Sequence, residues 1–220
     1  MSVLKAERVS KFFGNFPALR ELSFEFEAGD CIALLGRNGA GKTTLLNILA
    51  GLSRPSTGTL GLARRVSLLG HGIGVYDELS ARENLRFFAS LSPAAIDIDR
   101  WLHRVNLLDV ADAPLREYSR GMRQRLALAR VFMGDPDLLL LDEPFTSLDD
   151  KATALLQTFL ADALARRATV VLSTHQIPEA MALASRILFL EHGKLAYFGP
   201  RPPEMLGDST WIYRTYGATA

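Results

Sequence analysis

"CIALLGRNGAGKTTLLNILAGL", Cys31 to Leu52, is the stretch that decides the fold. Its first five residues are continuously apolar, as in a strand covered on both faces. Gly36 to Thr43 then follows the spacing G-x-x-x-x-G-K-[ST], and Leu45, Leu46, Leu49 and Ala50 recur at helical spacing. Strand, glycine-rich turn and helix in that order form a cradle for phosphate. The glycines let backbone N–H groups turn inward around phosphate oxygens, and the helix N-terminus adds partial positive charge. On this reading Gly36, Arg37, Asn38, Gly39, Ala40, Gly41, Lys42, Thr43 and Thr44 make up the phosphate-contacting loop. Lys42 is placed to meet the β- and γ-phosphates of a nucleotide, and Thr43 to set its hydroxyl on Mg²⁺.

Outward from the cradle, "LLLLD" (138–142) and "ATVVLSTH" (168–175) read as two further buried strands. The helix predicted between them, Thr153 to Arg166, buries Leu155, Leu156, Phe159, Leu160 and Leu164. Strands alternating with helices indicate a mostly parallel α/β core with helices on both faces. Residues 3–35 read as strands. In "LSFEFEAGD", Leu22, Phe24 and Phe26 alternate with Ser23, Glu25 and Glu27, the pattern of a half-buried antiparallel strand. Near the other end "RILFLEHGKLAYFG" predicts a hairpin around His192-Gly193. Residues 72–135 break the alternation and read as wholly helical. Ser80 and Glu83 have capping-box spacing, and "PAAIDIDRWLHRVNLL" is a second helical segment. The expectation is a P-loop NTPase core, with an N-terminal antiparallel β-subdomain and an inserted helical subdomain. All of it falls in a single domain spanning residues 1–220. The tail from about residue 200 carries no assignable role.

The totals narrow the class. The 220 residues are 48% hydrophobic and 22% charged, a globular balance, and the net charge of +1 argues against a dedicated nucleic-acid surface. The single cysteine, Cys31, sits in an apolar run and reads as a small buried side chain rather than a reactive thiol. No apolar run approaches the roughly 18 residues that span a bilayer, and the first residues lack a signal-peptide core. The expectation is a chain that neither crosses a membrane nor is exported by its own sequence.

"LLLLDEP" complements the cradle chemically. A strand ending in Asp142 puts a carboxylate beside the metal, while Glu143 should point differently along the pleat. Asp142 reads as the Mg²⁺-orienting carboxylate, acting through water. Glu143 reads as the general base for an attacking water, since hydrolysis needs a positioned proton acceptor. Together these features describe a nucleotide-hydrolysing protein.

"GRNGAGKTT", "YSRGMRQRLALARVFMGDPDLLLLDEP", "SLDD" and "LSTH" occur in the order and spacing of the ATP-binding subunits of ABC transporters, and the resemblance covers residues 2–200. It implies an ATPase that works as a head-to-tail dimer, either of two copies or with a paralogue, around two ATP with Mg²⁺. In that family the signature Leu-Ser-Gly-Gly-Gln completes the ATP site of the opposite subunit. Here Ser119 and Gly121 are kept, while Tyr118, Arg120 and Met122 replace the other three. A helix beginning near Ser119 still offers a hydroxyl, free backbone N–H groups and a positive dipole end. Arg120 either reinforces the phosphate contact or faces solvent, and Met122 cannot donate the hydrogen bonds of a glutamine.

The same resemblance makes Ser147, Leu148 and Asp149 the loop that reaches across the dimer. It makes His175, at the end of a strand, the switch histidine on the γ-phosphate. Phe13 matches the aromatic that stacks on adenine, and Phe12 as core filler is the competing assignment. Where the family has a glutamine sensing Mg²⁺ and the attacking water, this sequence has His71, whose ordinary titration range would make hydrolysis pH-dependent. The resemblance also implies a separate transmembrane permease, with this chain at the cytoplasmic face of the inner membrane; Val75, Tyr76 and Leu79 either form the groove that receives it or serve purely within the chain's own core. It extends to exporters, most closely to the haem-exporter ATPases of cytochrome c maturation. General exporters of drugs or polysaccharides share much of the pattern. A soluble ABC ATPase acting on ribosomes or DNA, and a small P-loop kinase, are the rival readings.

Overall fold

Alternate residues of one strand serve two different cores, because successive side chains leave opposite faces of the pleat. In β3 (Cys31–Leu35), Cys31, Ala33 and Leu35 face one core, and Ile32 and Leu34 face the other. The chain is described here from a computed structural model, which covers residues 2–217 apart from Leu62, Arg64, His71, Ile73 and Ser147. Before β3 lie β1 (Ser2–Phe13) and β2 (Phe16–Glu27). After it come α1 (Lys42–Leu49), β4 (Thr57–Gly61) and β5 (Val66–Leu69). β1, β2 and β4 form an antiparallel sheet in the order β2-β1-β4. Leu22, Phe24 and Phe26 are buried on its inner face, as the alternation predicts.

The chain continues through α2 (Ala81–Ser90), α3 (Ile98–Arg104) and α4 (Arg120–Phe132) to β6 (Leu138–Asp142). Next come α5 (Asp150–Ala165), β7 (Thr169–Ser173), α6 (Ile177–Leu183), β8 (Arg186–Glu191), β9 (Lys194–Pro200) and α7 (Trp211–Tyr216). The large sheet runs β5-β6-β7-β3-β8-β9, parallel except where β9 returns antiparallel to β8. The return is the predicted hairpin, with His192 and Gly193 both at positive φ. One face of this sheet packs on α1 and the antiparallel sheet, the other on the remaining helices. The fold is thus the expected α/β P-loop NTPase core with an antiparallel N-terminal sheet.

The helical stretch between β5 and β6 starts where the caps dictate. Ser80 and Glu83 form a reciprocal capping box at the head of α2. The second segment is shorter than its sequence pattern. Asp97 caps the Arg100 N–H at 3.0 Å and so starts α3 after the proline-led turn, and Asn106 at positive φ ends it. Arg104 ties α3 to α5 through Asp162 at 2.5 Å, with its guanidinium over the rings of Trp101 and Phe159. α5 begins three residues before the predicted start because Asp149 caps the Ala152 N–H at 2.7 Å. Among the described residues, no helix is long and apolar enough to cross a membrane.

Cys31 is buried in β3 as expected, and burial pushes its thiol up to about 12. At pH 8 only about one thiol in ten thousand is then ionised, and the thiolate is the reactive form. Native protein should therefore give essentially no reaction with a disulfide reagent at pH 8, and one thiol per chain in denaturant. Rapid native labelling would place Cys31 outside the core.

Candidate functional site

Gly36 leaves β3 at φ 152°, and a side chain there would put its Cβ 2.5 Å from the Leu190 carbonyl oxygen. Gly41 turns at φ 104° as the residue before α1, and a Cβ there would meet Leu19 at 2.6 Å and the Ala18 carbonyl oxygen at 2.8 Å. Both positions exclude every other residue, so the loop passes between β8 and β2 only as glycine. No side chain caps α1, which leaves the N–H groups of its first turn facing the loop's concavity. Lys42 is buried, and its ammonium donates to the carbonyls of Gly36 at 2.8 Å and Arg37 at 3.3 Å. Burial holds this ammonium below its ordinary range, opposed by the negative charge of Glu143 and Asp142.

The carboxylates come from the neighbouring strand end. Asp142 is buried at the last position of β6, where Thr43 Oγ1 donates to its Oδ2 at 3.1 Å and Ser173 Oγ donates to its Oδ1. Glu143 lies beyond the strand with φ at 53°, so a left-handed kink sets its direction, not the pleat. The kink is held by the Glu143 N–H donating to the Ser173 carbonyl at 2.9 Å. Strain of this kind, fixed by its surroundings, is characteristic of functional positions. His175 lies past the end of β7, not on the strand as its sequence suggests. The strand stops at Ser173, and Thr174 Oγ1 takes the Gln176 N–H at 2.9 Å. From there the His175 N–H donates to Glu143 Oε2 at 3.0 Å, and its Nε2 lies 3.2 Å from Glu143 Oε1.

These groups share one cavity of about 690 Å³. Asn38, Gly39, Gly41, Lys42, Thr43 and Thr44 line it from the loop, and Asp142, Glu143 and His175 from the strand ends. Gly36 and Ala40 are buried behind the loop, and Arg37 is exposed outside the lining. Phe13 lines the cavity's edge, and Phe12 is no core filler, being 45% exposed. Sequence reasoning missed Phe16, which also lines the cavity and pairs in register with Phe13 across the Gly14-Asn15 turn. The signal was the glycine-led turn between two aromatics. Arg120 and Gln124 of α4 line the same cavity, so Arg120 faces this chain's own cradle.

Ser119, Gly121 and Asp149 are outside the lining. Ser119 is exposed and caps α4 by accepting from the Met122 N–H at 3.2 Å. A Cβ on Gly121 would lie 2.3 Å from Asp149 Oδ2, so the N-terminal ends of α4 and α5 are in contact. His71 and Ser147 fall outside the described residues.

The donor set suits Mg²⁺. Thr43 Oγ1 and Asp142 Oδ2 are hard oxygen ligands side by side at the foot of the cradle. Among the described residues, no group of three or more His, Cys, Asp or Glu side chains could hold a metal by itself. Such a cation would take its other ligands from water and substrate phosphates, the usual arrangement for magnesium.

The comparisons agree with this geometry. The ABC transporter family matches residues 19–146. A cytochrome c biogenesis ATP-binding export protein of Cupriavidus metallidurans is 41% identical over 190 residues, covering 80% of this chain and 90% of the relative. A Nod factor export ATP-binding protein I of Burkholderia lata is 38% identical over 203 residues, covering 84% and 67% respectively. A solved structure of the ATP-binding subunit of an ABC transporter superposes with a TM-score of 0.84 at 24% identity, over 99% of this chain and 95% of that one. The chain belongs to the ABC transporter family. Within that family it is an ATP-binding domain and an ATPase.

The exposed aromatics at the cavity edge generate a test. Phe13 is 57% exposed and Phe16 65% exposed, and ring-on-base stacking is worth roughly 1–3 kcal/mol. Phe13→Ala and Phe16→Ala should each raise the KM for ATP about tenfold and leave kcat within about twofold. Phe12→Ala should change neither. Steady-state ATPase kinetics check all three, and an effect confined to Phe12 would overturn the assignment.

Proposed function

We propose that this chain is the motor subunit of an ABC export transporter, one domain throughout, which closes as a dimer on two ATP and drives a separate membrane subunit. The observation that carries the reading is the convergence of Lys42, Thr43, Asp142, Glu143 and His175 on one cavity. The loop amides and Lys42 hold the β- and γ-phosphates, with Phe13 and Phe16 against the base. Bound magnesium, held by the Thr43 hydroxyl and the Asp142 carboxylate, would offset charge on the phosphate oxygens. Glu143 takes the proton of the attacking water. His175 grips both Glu143 oxygens, which aims that base, and on closure it reaches the γ-phosphate. His71 is the proposed sensor of the attacking water, on its sequence position alone.

Ser119 and Gly121 lie outside the lining of this chain's cavity, which suits a second chain's nucleotide. The helix end capped by Ser119 offers N–H groups to the partner's γ-phosphate, and Asp149 beside Gly121 belongs to the same contact surface. ATP touching both chains favours the closed state, and hydrolysis removes that preference. The membrane subunit docks beside the helical arm. There Val75 packs into the core, while the exposed Tyr76 meets Phe87 and Phe88 with ring centroids 5.2 and 6.0 Å apart. On this reading the chain sits peripherally at the cytoplasmic face of the membrane. Haem export in cytochrome c maturation is the cargo reading supported by the 41% identical relative. The Nod factor export relatives support the second reading, an exporter of another cargo.

Glu143→Gln removes the base and keeps the shape of the side chain. ATP turnover should fall by a hundredfold or more, and size-exclusion chromatography in ATP should show a dimer where the parent runs as a monomer. Parental turnover would remove Glu143 as the base. For the cargo, the tagged chain should be recovered from solubilised native membranes with a polytopic partner. Loss of covalent haem staining of c-type cytochromes in a deletion strain supports haem, and normal staining supports the second reading. Recovery with ribosomes or nucleic acid instead would overturn the transporter reading.

A further inference from the structure

The entry to α4 is anchored by one buried side chain. Arg116, Glu117, Ser119 and Arg120 are all exposed, while Tyr118 between them is buried at 6% exposure. Its ring packs in the core on the helical face of the large sheet, and its hydroxyl donates to the Val110 carbonyl at 2.5 Å. Burial, helped by the negative charge of Asp112, raises this phenol above its ordinary range, so it stays protonated and keeps donating near neutral pH.

The group that Tyr118 holds is itself fixed. Val110 ends a short turn, Leu108–Val110, and its carbonyl also accepts the Ala113 N–H at 3.0 Å. The next two residues are tied to α2: the Arg82 N–H donates to the Ala111 carbonyl at 3.0 Å, and Arg82 Nε to Asp112 at 2.7 Å. The body of α4 is held by the same connector, because Arg125 Nη1 donates to the Val105 carbonyl at 2.6 Å. That contact lies more than a turn beyond Ser119. Tyr118 and Ser119 are both extended and precede the helix, so the Tyr118 side chain is the near anchor of the serine cap.

We propose that Tyr118 is a positioning residue for the ATP-driven dimer: its hydroxyl holds Ser119 and the first N–H groups of α4 in the direction that a second chain's γ-phosphate requires. The proposal rests on the closed-dimer reading above. Tyr118 is outside the cavity lining and acts through its neighbour.

Tyr118→Phe keeps the buried ring and removes the hydroxyl. The Val110 carbonyl retains the Ala113 N–H, so the chain should fold. Added to Glu143→Gln in the presence of ATP, it should raise the dimer dissociation constant about tenfold by sedimentation, because closure must then order the cap in both chains. The ATP affinity of the dilute monomer, read by filter binding of labelled ATP, should stay parental. Tyr197→Phe is the control. It loses an equivalent bond, from its hydroxyl to the Pro200 carbonyl at 2.6 Å, on the edge strand β9. It should lower the thermal midpoint as Tyr118→Phe does and leave dimerisation unchanged. Parental dimerisation in Tyr118→Phe would overturn the proposal. So would an equal loss in Tyr197→Phe, since stability alone would then set closure. A weakened monomer affinity in Tyr118→Phe would also overturn it, since the hydroxyl would then serve the chain's own cavity. A Glu143→Gln chain that stays monomeric in ATP would overturn the dimer reading itself, a failure seen before the tyrosine is changed.

Discussion

The Asp142 carboxylate is the group on which the arrangement turns. It is buried at the end of a strand and must be hydrogen-bonded there, because an unpaired buried charge is far more costly than a paired one. Ser173 satisfies one oxygen from the neighbouring strand and Thr43 reaches the other from the first turn of α1. Three segments distant in sequence are thereby brought to one point. The same Ser173 accepts the Glu143 N–H through its carbonyl, so the strand end that holds the metal-facing acid also sets the kink that aims the base. Binding and chemistry share one clasp.

Much of this was legible in the sequence, for identifiable reasons. The phosphate loop is local: its glycines, lysine and threonine fall within eight consecutive residues, Gly36 to Thr43. The period of two in β2 and the unbroken apolar run of β3 report one-sided and two-sided burial, and both hold in the structure. Ser80 with Glu83, and His192 with Gly193, are short-range signals whose hydrogen bonds or dihedrals depend on near neighbours.

What escaped depends on contacts between remote segments. The direction of Glu143 comes from Ser173, thirty residues away, so pleat alternation could not supply it. His175 leaves its strand because Thr174 closes a turn on Gln176, a competition between side chain and ladder that apolar composition does not report. Phe16 enters the cavity through register with Phe13, and Arg120 enters it through the packing of the helical arm. The tail reads as an unassigned aromatic segment because the ring partner of Tyr213, Phe189, lies on β8.

The variant signature acquires a physical sense from these placements. In a head-to-tail dimer, one helix end must face the partner while its own chain's cavity stays lined. Ser119 and Arg120 are adjacent, yet the serine is exposed as a cap and the arginine lines the cavity of its own chain. A glycine at position 120 would leave that wall of the cavity without a cation. Arg120 adds a cation to the lining of the cavity that Lys42 also lines, and charge interactions in such a partly enclosed space are less screened than in open water. The capped start of α4 and the close packing of Gly121 against Asp149 are nonetheless kept.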